Sequence, residues 1–209
     1  MVTTRTVWTW PVPLVAVGVF AFSFLYRFNA LGGALGGFDG DHFIYYLGTR
    51  EVIHGARTLR DFTDAGIQGA WPALTYELPA LVQRLTGETL LSEAVYVVGA
   101  VALSMTILFV TASQLAGTVP ALIVTIATLF TATKLYGSSK LLVFAVAAAL
   151  FLRYAHHSTR WQVVLLALWS VVAFLFRHDF LVYLAPAVAL LIVATTAPFW
   201  RRAAGHLIG

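Results

Sequence analysis

No cysteine occurs in this chain, so disulfides and zinc sites built on thiolates are both excluded. Charge is scarce as well. Only 11% of the 209 residues are Asp, Glu, Lys or Arg, against about 25% in a soluble globular domain. Such a chain lacks the polar surface to face water on all sides. A basic stripe is also missing: the Lys and Arg residues are scattered at the ends of apolar runs and give a net charge of only +4. Nucleic acid would need clustered cations and is therefore set aside as a partner. No histidine pair has the His-x-x-x-His spacing that puts two metal ligands on one helix face, so a divalent metal is compatible with the chain but not indicated.

What the chain does have is hydrophobic residues, 60% of the total, gathered into six runs at about 10–28, 94–115, 119–133, 141–152, 161–176 and 180–197. A membrane-spanning helix needs roughly 20 mostly apolar residues, because only a helix satisfies its own backbone in hydrocarbon. The pattern predicts an all-α, polytopic transmembrane bundle of about six spans, with 1–209 forming one domain in the plasma membrane. The runs 119–133 and 141–152 are short. They form either two crossings extended by neighbouring residues or a re-entrant hairpin around Lys134 to Lys140, and both return the chain to the side it left. Small residues (Ala30, Gly32, Gly33, Ala34) follow the first run as they would a signal peptide. That run is long for a signal segment, and Arg5 is the only charge before it. Trp8, Trp10, Trp161 and Trp200 lie at run ends and fit an interfacial belt.

Between the first and second runs, 29–93 is the one long polar segment. It holds eight of the nine acids: Asp39, Asp41, Glu51, Asp61, Asp64, Glu77, Glu88 and Glu93. A Gly-rich hinge at 32–37 opens it. Two amphipathic helices are expected next. The first, over 42–54, sets Phe43, Tyr46, Leu47 and Ile53 on one face at three-to-four spacing. The second, over 73–85 after the Trp71-Pro72 start signal, repeats the idea with Leu74, Leu78, Leu81, Val82 and Leu85. Both read as helices lying on a membrane surface.

With the N-terminus in the cytoplasm, Arg5, Arg153, Arg160, Arg201 and Arg202 fall inside, and Lys134, Lys140 and Arg177 fall in short outer turns. The positive-inside rule favours this orientation five to three, and all nine acids then share the outer face. Cations in outer turns run against the usual bias. An anionic ligand such as a lipid phosphate would retain them there, and snorkelling at helix ends is the plainer alternative.

The run Asp41-His42-Phe43-Ile44-Tyr45, then Gly55, then Arg60-Asp61-Phe62, then Trp71-Pro72, resembles the first outer loop of the GT-C glycosyltransferases. These are polyprenyl-phosphate-sugar-dependent membrane enzymes related to protein O-mannosyltransferases and aminoarabinose transferases. The family pattern is an acidic pair ahead of a Tyr, a Gly some ten residues on, an Asp-Phe pair, and a Pro-rich start to a second surface helix. An ungapped register brings Asp41 onto the leading acid, and the second acid, usually Glu, falls on His42. The resemblance implies transfer of a sugar from a polyprenyl-phosphate donor lipid to an extracytoplasmic glycan, lipid or protein acceptor. It also implies that the C-terminal part of the family architecture lies outside this chain.

The same resemblance implies Asp41 as general base, with Asp39 beside it. His42, Tyr45, Arg60 and Asp61 would serve the substrate from the loop, and Lys134, Tyr136, Lys140, Arg177 and Asp179 from the outer turns. The chemistry asks for such a set: the acceptor loses a proton as it attacks, and the departing lipid phosphate needs cations. Residue chemistry alone leaves alternatives. Asp39 and Asp41 suit the N-terminus of the first surface helix as caps, and Arg177 and Asp179 suit an ion pair between two helix ends. A non-catalytic membrane protein with a structural loop is the competing reading. The turn with Arg153, His156, His157 and Arg160 reads as solvated.

Overall fold

The computed structural model describes residues 11–31, 40–56, 73–131 and 138–196. Among the described residues there are eight helices and no strand: α1 (Pro11–Ala30), α2 (Gly40–Ile53), α3 (Leu74–Thr86), α4 (Leu90–Ala116), α5 (Thr118–Thr131), α6 (Ser138–His156), α7 (Arg160–Phe176) and α8 (His178–Thr196). Four of them, α1, α4, α6 and α8, are long and apolar enough to cross a membrane. At 1.5 Å per residue, the 27 residues of α4 reach about 40 Å.

Local chemistry sets the ends. Pro11 and Pro13 sit in the first turn of α1, where a missing N–H leaves no bond unmade. Thr89 caps α4, its hydroxyl accepting the Ser92 amide at 3.2 Å. Gly87 (φ 104°) and Gly117 (φ 82°) end α3 and α4 in a backbone region that side chains disfavour. Thr159 and Gln162 form a reciprocal capping box that starts α7.

The central helix is α4, which packs against α1, α3, α5 and α6, while α7 and α8 complete the other side of α6. Its stripe Ala94, Val98, Val101, Met105 and Phe109 recurs every three or four residues and is buried. In lipid there is little hydrophobic gain from helix pairing, so close backbone approach carries the packing. Small buried residues at Ala94, Ala102, Ala121, Ala145, Ala147 and Ala173 permit it. Large apolar side chains such as Leu14, Val17, Val182 and Leu190 face outward.

Side-chain bonds fix helix directions. The three-residue turn at 157–159 makes α6 and α7 antiparallel, and Trp169 Nε1, just past the middle of α7, donates to the carbonyl of Val143 in α6 at 3.0 Å. The hydroxyls of Tyr154 and Thr195 meet at 3.3 Å, late in both α6 and α8, so these run parallel. Late α1 meets late α5: the Tyr26 and Phe130 rings sit edge to face at 5.0 Å, and the Arg27 guanidinium donates to the Leu129 carbonyl. One end of the bundle therefore collects the C-termini of α1, α5 and α7, the N-termini of α4, α6 and α8, and the helices α2 and α3. The α4–α5 and α6–α7 turns lie at the other.

Of the two alternatives for the short run at 141–152, the structure shows extension by neighbouring residues: it lies within a 19-residue helix, because Ser138 to Lys140 and Arg153 to His156 extend it at both ends. The apolar face of α2, expected to lie on a membrane surface, is left uncovered by the rest of the protein. His42, Thr49 and Val52 are buried, whereas Phe43, Ile44 and Leu47 are exposed. In α3 the expected stripe divides: Leu74 and Leu78 pack against the buried cluster of α6, α7 and α8 that includes Phe176 and Phe180, while Leu81 and Leu85 face outward.

Candidate functional site at one end of the bundle

The pair α2–α3 forms the centre of this end. Tyr45 and Tyr76 rings lie 6.3 Å apart, Gly48 packs on the Tyr76 ring, and Val52 and Ala80 share a small buried cluster. Further along, Arg84 approaches the Val52 carbonyl at 3.5 Å. Residue numbers rise together along both helices, so α2 and α3 run parallel. The exposed side of α2 is tied to the α3–α4 turn. Tyr46 Oη donates to the Glu88 carbonyl at 3.3 Å, and His54 and Arg50 approach the Glu88 carboxylate at 3.1 and 3.8 Å.

Helix α3 is anchored at both ends. At its start, the Thr75 hydroxyl donates to the carbonyl of Phe176, the last residue of α7. Near its finish, Gln83 Nε2 donates to Glu93 Oε2 at 2.8 Å, and both side chains are buried. It thus bridges the α7–α8 junction and the first turn of α4. Because α2 runs parallel to α3, the first turn of α2 lies at the junction end of this bridge. Asp41 is the second residue of α2.

The junction holds Arg177 and Asp179. The guanidinium donates from Nε to Oδ1 at 3.1 Å and from Nη2 to Oδ2 at 3.0 Å, a bidentate pair. Arg177 also lies 5.4 Å from the centre of the Phe180 ring. The pair is partly open to solvent, with side chains 26% and 35% exposed. A planar fork that holds a carboxylate also matches a phosphate, so an arriving phosphate would compete with Asp179 for the same donors.

Of the other residues expected from sequence, His42 is buried in the first turn of α2, Tyr45 is half-buried against α3, and Lys140 is exposed in the first turn of α6. Asp39, Arg60, Asp61, Lys134 and Tyr136 lie outside the described residues. The start of α3 meets the α7–α8 junction that holds the Arg177–Asp179 pair, the first turn of α2 lies towards that end of α3, and Lys140 is at the same bundle end.

Two polar features here were not foreseen. The buried Gln83–Glu93 pair joins α3 to α4, and Arg27 is buried where α1 meets α5. A sequence signal existed for each: an acid in the first turn of an apolar helix, and an arginine inside the first apolar run. Every described acid (Asp41, Glu51, Glu77, Glu88, Glu93 and Asp179) belongs to this end. Among the described residues no group of three or more His, Asp and Glu side chains is placed to hold a metal ion. A cavity of about 180 Å³ between α1 and α5, lined by Val15, Gly18, Phe22, Leu122, Ile126 and Leu129 among others, is almost wholly apolar and offers no such chemistry. Comparison with protein-family models, with curated proteins and with solved structures finds no match to this chain.

Proposed function

We propose that this chain is a multi-pass membrane glycosyltransferase of GT-C type, acting at the extracytoplasmic face on a polyprenyl-phosphate-linked sugar. In this reading α5 and α7 complete six crossings. The 17 residues of α7 reach the lower limit of a spanning helix, about 17. The 14 residues of α5 span about 21 Å, but their far end meets the far end of α1, as a crossing requires. Helices α2 and α3 then lie at the outer interface, and their outward Phe43, Leu47, Leu81 and Leu85 suit the boundary of headgroups and acyl chains.

The observation that carries the reading is the parallel α2–α3 pair. In it the first turn of α2, which carries Asp41, lies towards the start of α3, the end that Thr75 ties to the α7–α8 junction. The proposed step is an inverting displacement. The acceptor oxygen bonds to the anomeric carbon as that carbon's bond to the phosphate oxygen breaks. The bonding pair leaves with the phosphate, and the acceptor proton passes to Asp41. Arg177 and Lys140, with Lys134, stabilise the departing phosphate.

A second reading has one observation in its favour. The Arg177 fork is already filled by Asp179, as a purely structural junction would have it. Transfer of a labelled sugar from polyprenyl phosphate, measured in membranes holding the wild type or Asp41→Asn, separates the two. The catalytic reading expects a loss of about 10²- to 10⁴-fold. Equal transfer by both removes Asp41 from the chemistry, and no transfer by the wild type supports a structural loop.

A further inference from the structure

At the end of the bundle opposite the acids, α6 passes into α7 through a turn whose residues from Ala155 to Trp161 are all exposed. Arg153, in the last turn of α6, is exposed beside them. The stretch reads Arg153, His156, His157, Arg160, Trp161, and no acid occurs between Glu93 and Asp179. It is held in shape. The His157 amide donates to the Arg153 carbonyl at 3.0 Å, the Thr159 amide to the His157 carbonyl at 2.7 Å, and the Thr159–Gln162 box starts α7. Trp161 is 67% exposed.

We propose that this turn is a docking surface for anionic phospholipid headgroups in the leaflet opposite the candidate active site. Helix chemistry accounts for Arg153 and His156, which oppose the negative end of the α6 dipole. It does not account for Arg160, which opens α7 where that dipole disfavours a cation and where no acid occupies the first turn. Two arginines with no acidic neighbour among the described residues, ordered by a tight turn, with an exposed indole alongside, match a layer of phosphates above the acyl chains. Arginine forks bind phosphate bidentately, and tryptophan settles at headgroup depth. Zwitterionic lipid offers the same phosphates but with neutralising amines, so the surface discriminates by net charge. The inference needs only that the bundle crosses the membrane and does not depend on sugar transfer.

Because the chain has no native cysteine, a fluorophore on Ser158→Cys reports this turn alone. The protein is reconstituted in phosphatidylcholine vesicles containing a trace of acceptor-labelled phosphatidylglycerol or, in parallel, acceptor-labelled phosphatidylcholine. Energy transfer to phosphatidylglycerol exceeds that to phosphatidylcholine severalfold at low ionic strength and falls towards it in 0.5 M salt, since exposed charges are screened over about 3–10 Å under those conditions. Adding Arg153→Gln and Arg160→Gln brings the preference down towards equality, each arginine contributing about fivefold at most. Circular dichroism confirms that the variant keeps its helices. Equal transfer to the two lipids overturns the proposal. So does a preference that survives both substitutions, which would place its source in other cations of that leaflet.

Discussion

Gly48 is the position where one added methyl group has the most predictable effect. A Cβ built there would lie 2.9 Å from Tyr76 Cδ1 and closer still to Cε1. The Tyr76 ring is fully buried in the α2–α3 seam, with Ala80 and Val52 beside it, and has no open space into which to swing. Overpacking of this kind costs about 1–3 kcal/mol, and the better helix propensity of alanine returns up to about 1 kcal/mol. A net loss of about 1–2 kcal/mol falls on α2, which docks chiefly through α3. In Gly48→Ala the amides of α2 exchange with deuterium about 5- to 30-fold faster than in the wild type, while those of α4 are unchanged. On the proposed function, sugar transfer falls with them, since Asp41 is in the first turn of the same helix. Gly99→Ala is the control: no atom lies within 4 Å of its added carbon, so exchange stays level or slows. Replacing Tyr76 by Val in the Gly48→Ala background reopens the seam and recovers part of the protection. Wild-type exchange in Gly48→Ala would refute the close packing of α2 on α3.

Two further outcomes follow from the polar contacts at the same end. Gln83→Leu removes the donor to the buried Glu93 carboxyl and costs about 1–3 kcal/mol, read as a lower midpoint of thermal unfolding in detergent; an unchanged midpoint would mean the pair does not join α3 to α4. Asp179→Asn frees part of the Arg177 fork from a partly exposed pair, so stability changes by less than about 1 kcal/mol. On the proposed function its binding of polyprenyl phosphate tightens, whereas Arg177→Gln binds more weakly than the wild type. Equal binding by all three would remove Arg177 from phosphate recognition.

Much of the fold was legible because hydrocarbon imposes it. The runs at 10–28, 94–115 and 180–197 became α1, α4 and α8 with ends shifted by a few residues, set by Pro11, by the Thr89 cap and by the one-residue junction at Arg177. The helices of the polar segment were also legible, since 42–54 and 73–85 closely match α2 and α3. The faces by which they pack on the bundle were not. Periodicity marks an apolar face but not what covers it, and the face of Phe43 and Leu47 turns outward while His42 and Thr49 turn in. The reason is steric: the bare backbone of Gly48 admits the Tyr76 ring, and that contact sets the rotation of α2.

By itself, then, the sequence determined an all-helical chain too poor in charge for water, with eight of its nine acids gathered in one polar segment. Hydropathy and helix length suffice for that, because an unsatisfied backbone cannot lie in lipid. Tertiary structure alone decided the assembly of that polar end. Phe176 is 101 residues from Thr75, and Leu129 is 102 from Arg27. No local pattern encodes such pairings, which arise only when antiparallel helices return distant chain ends to the same end of the bundle. That return sets α3 between α4 and the α7–α8 junction.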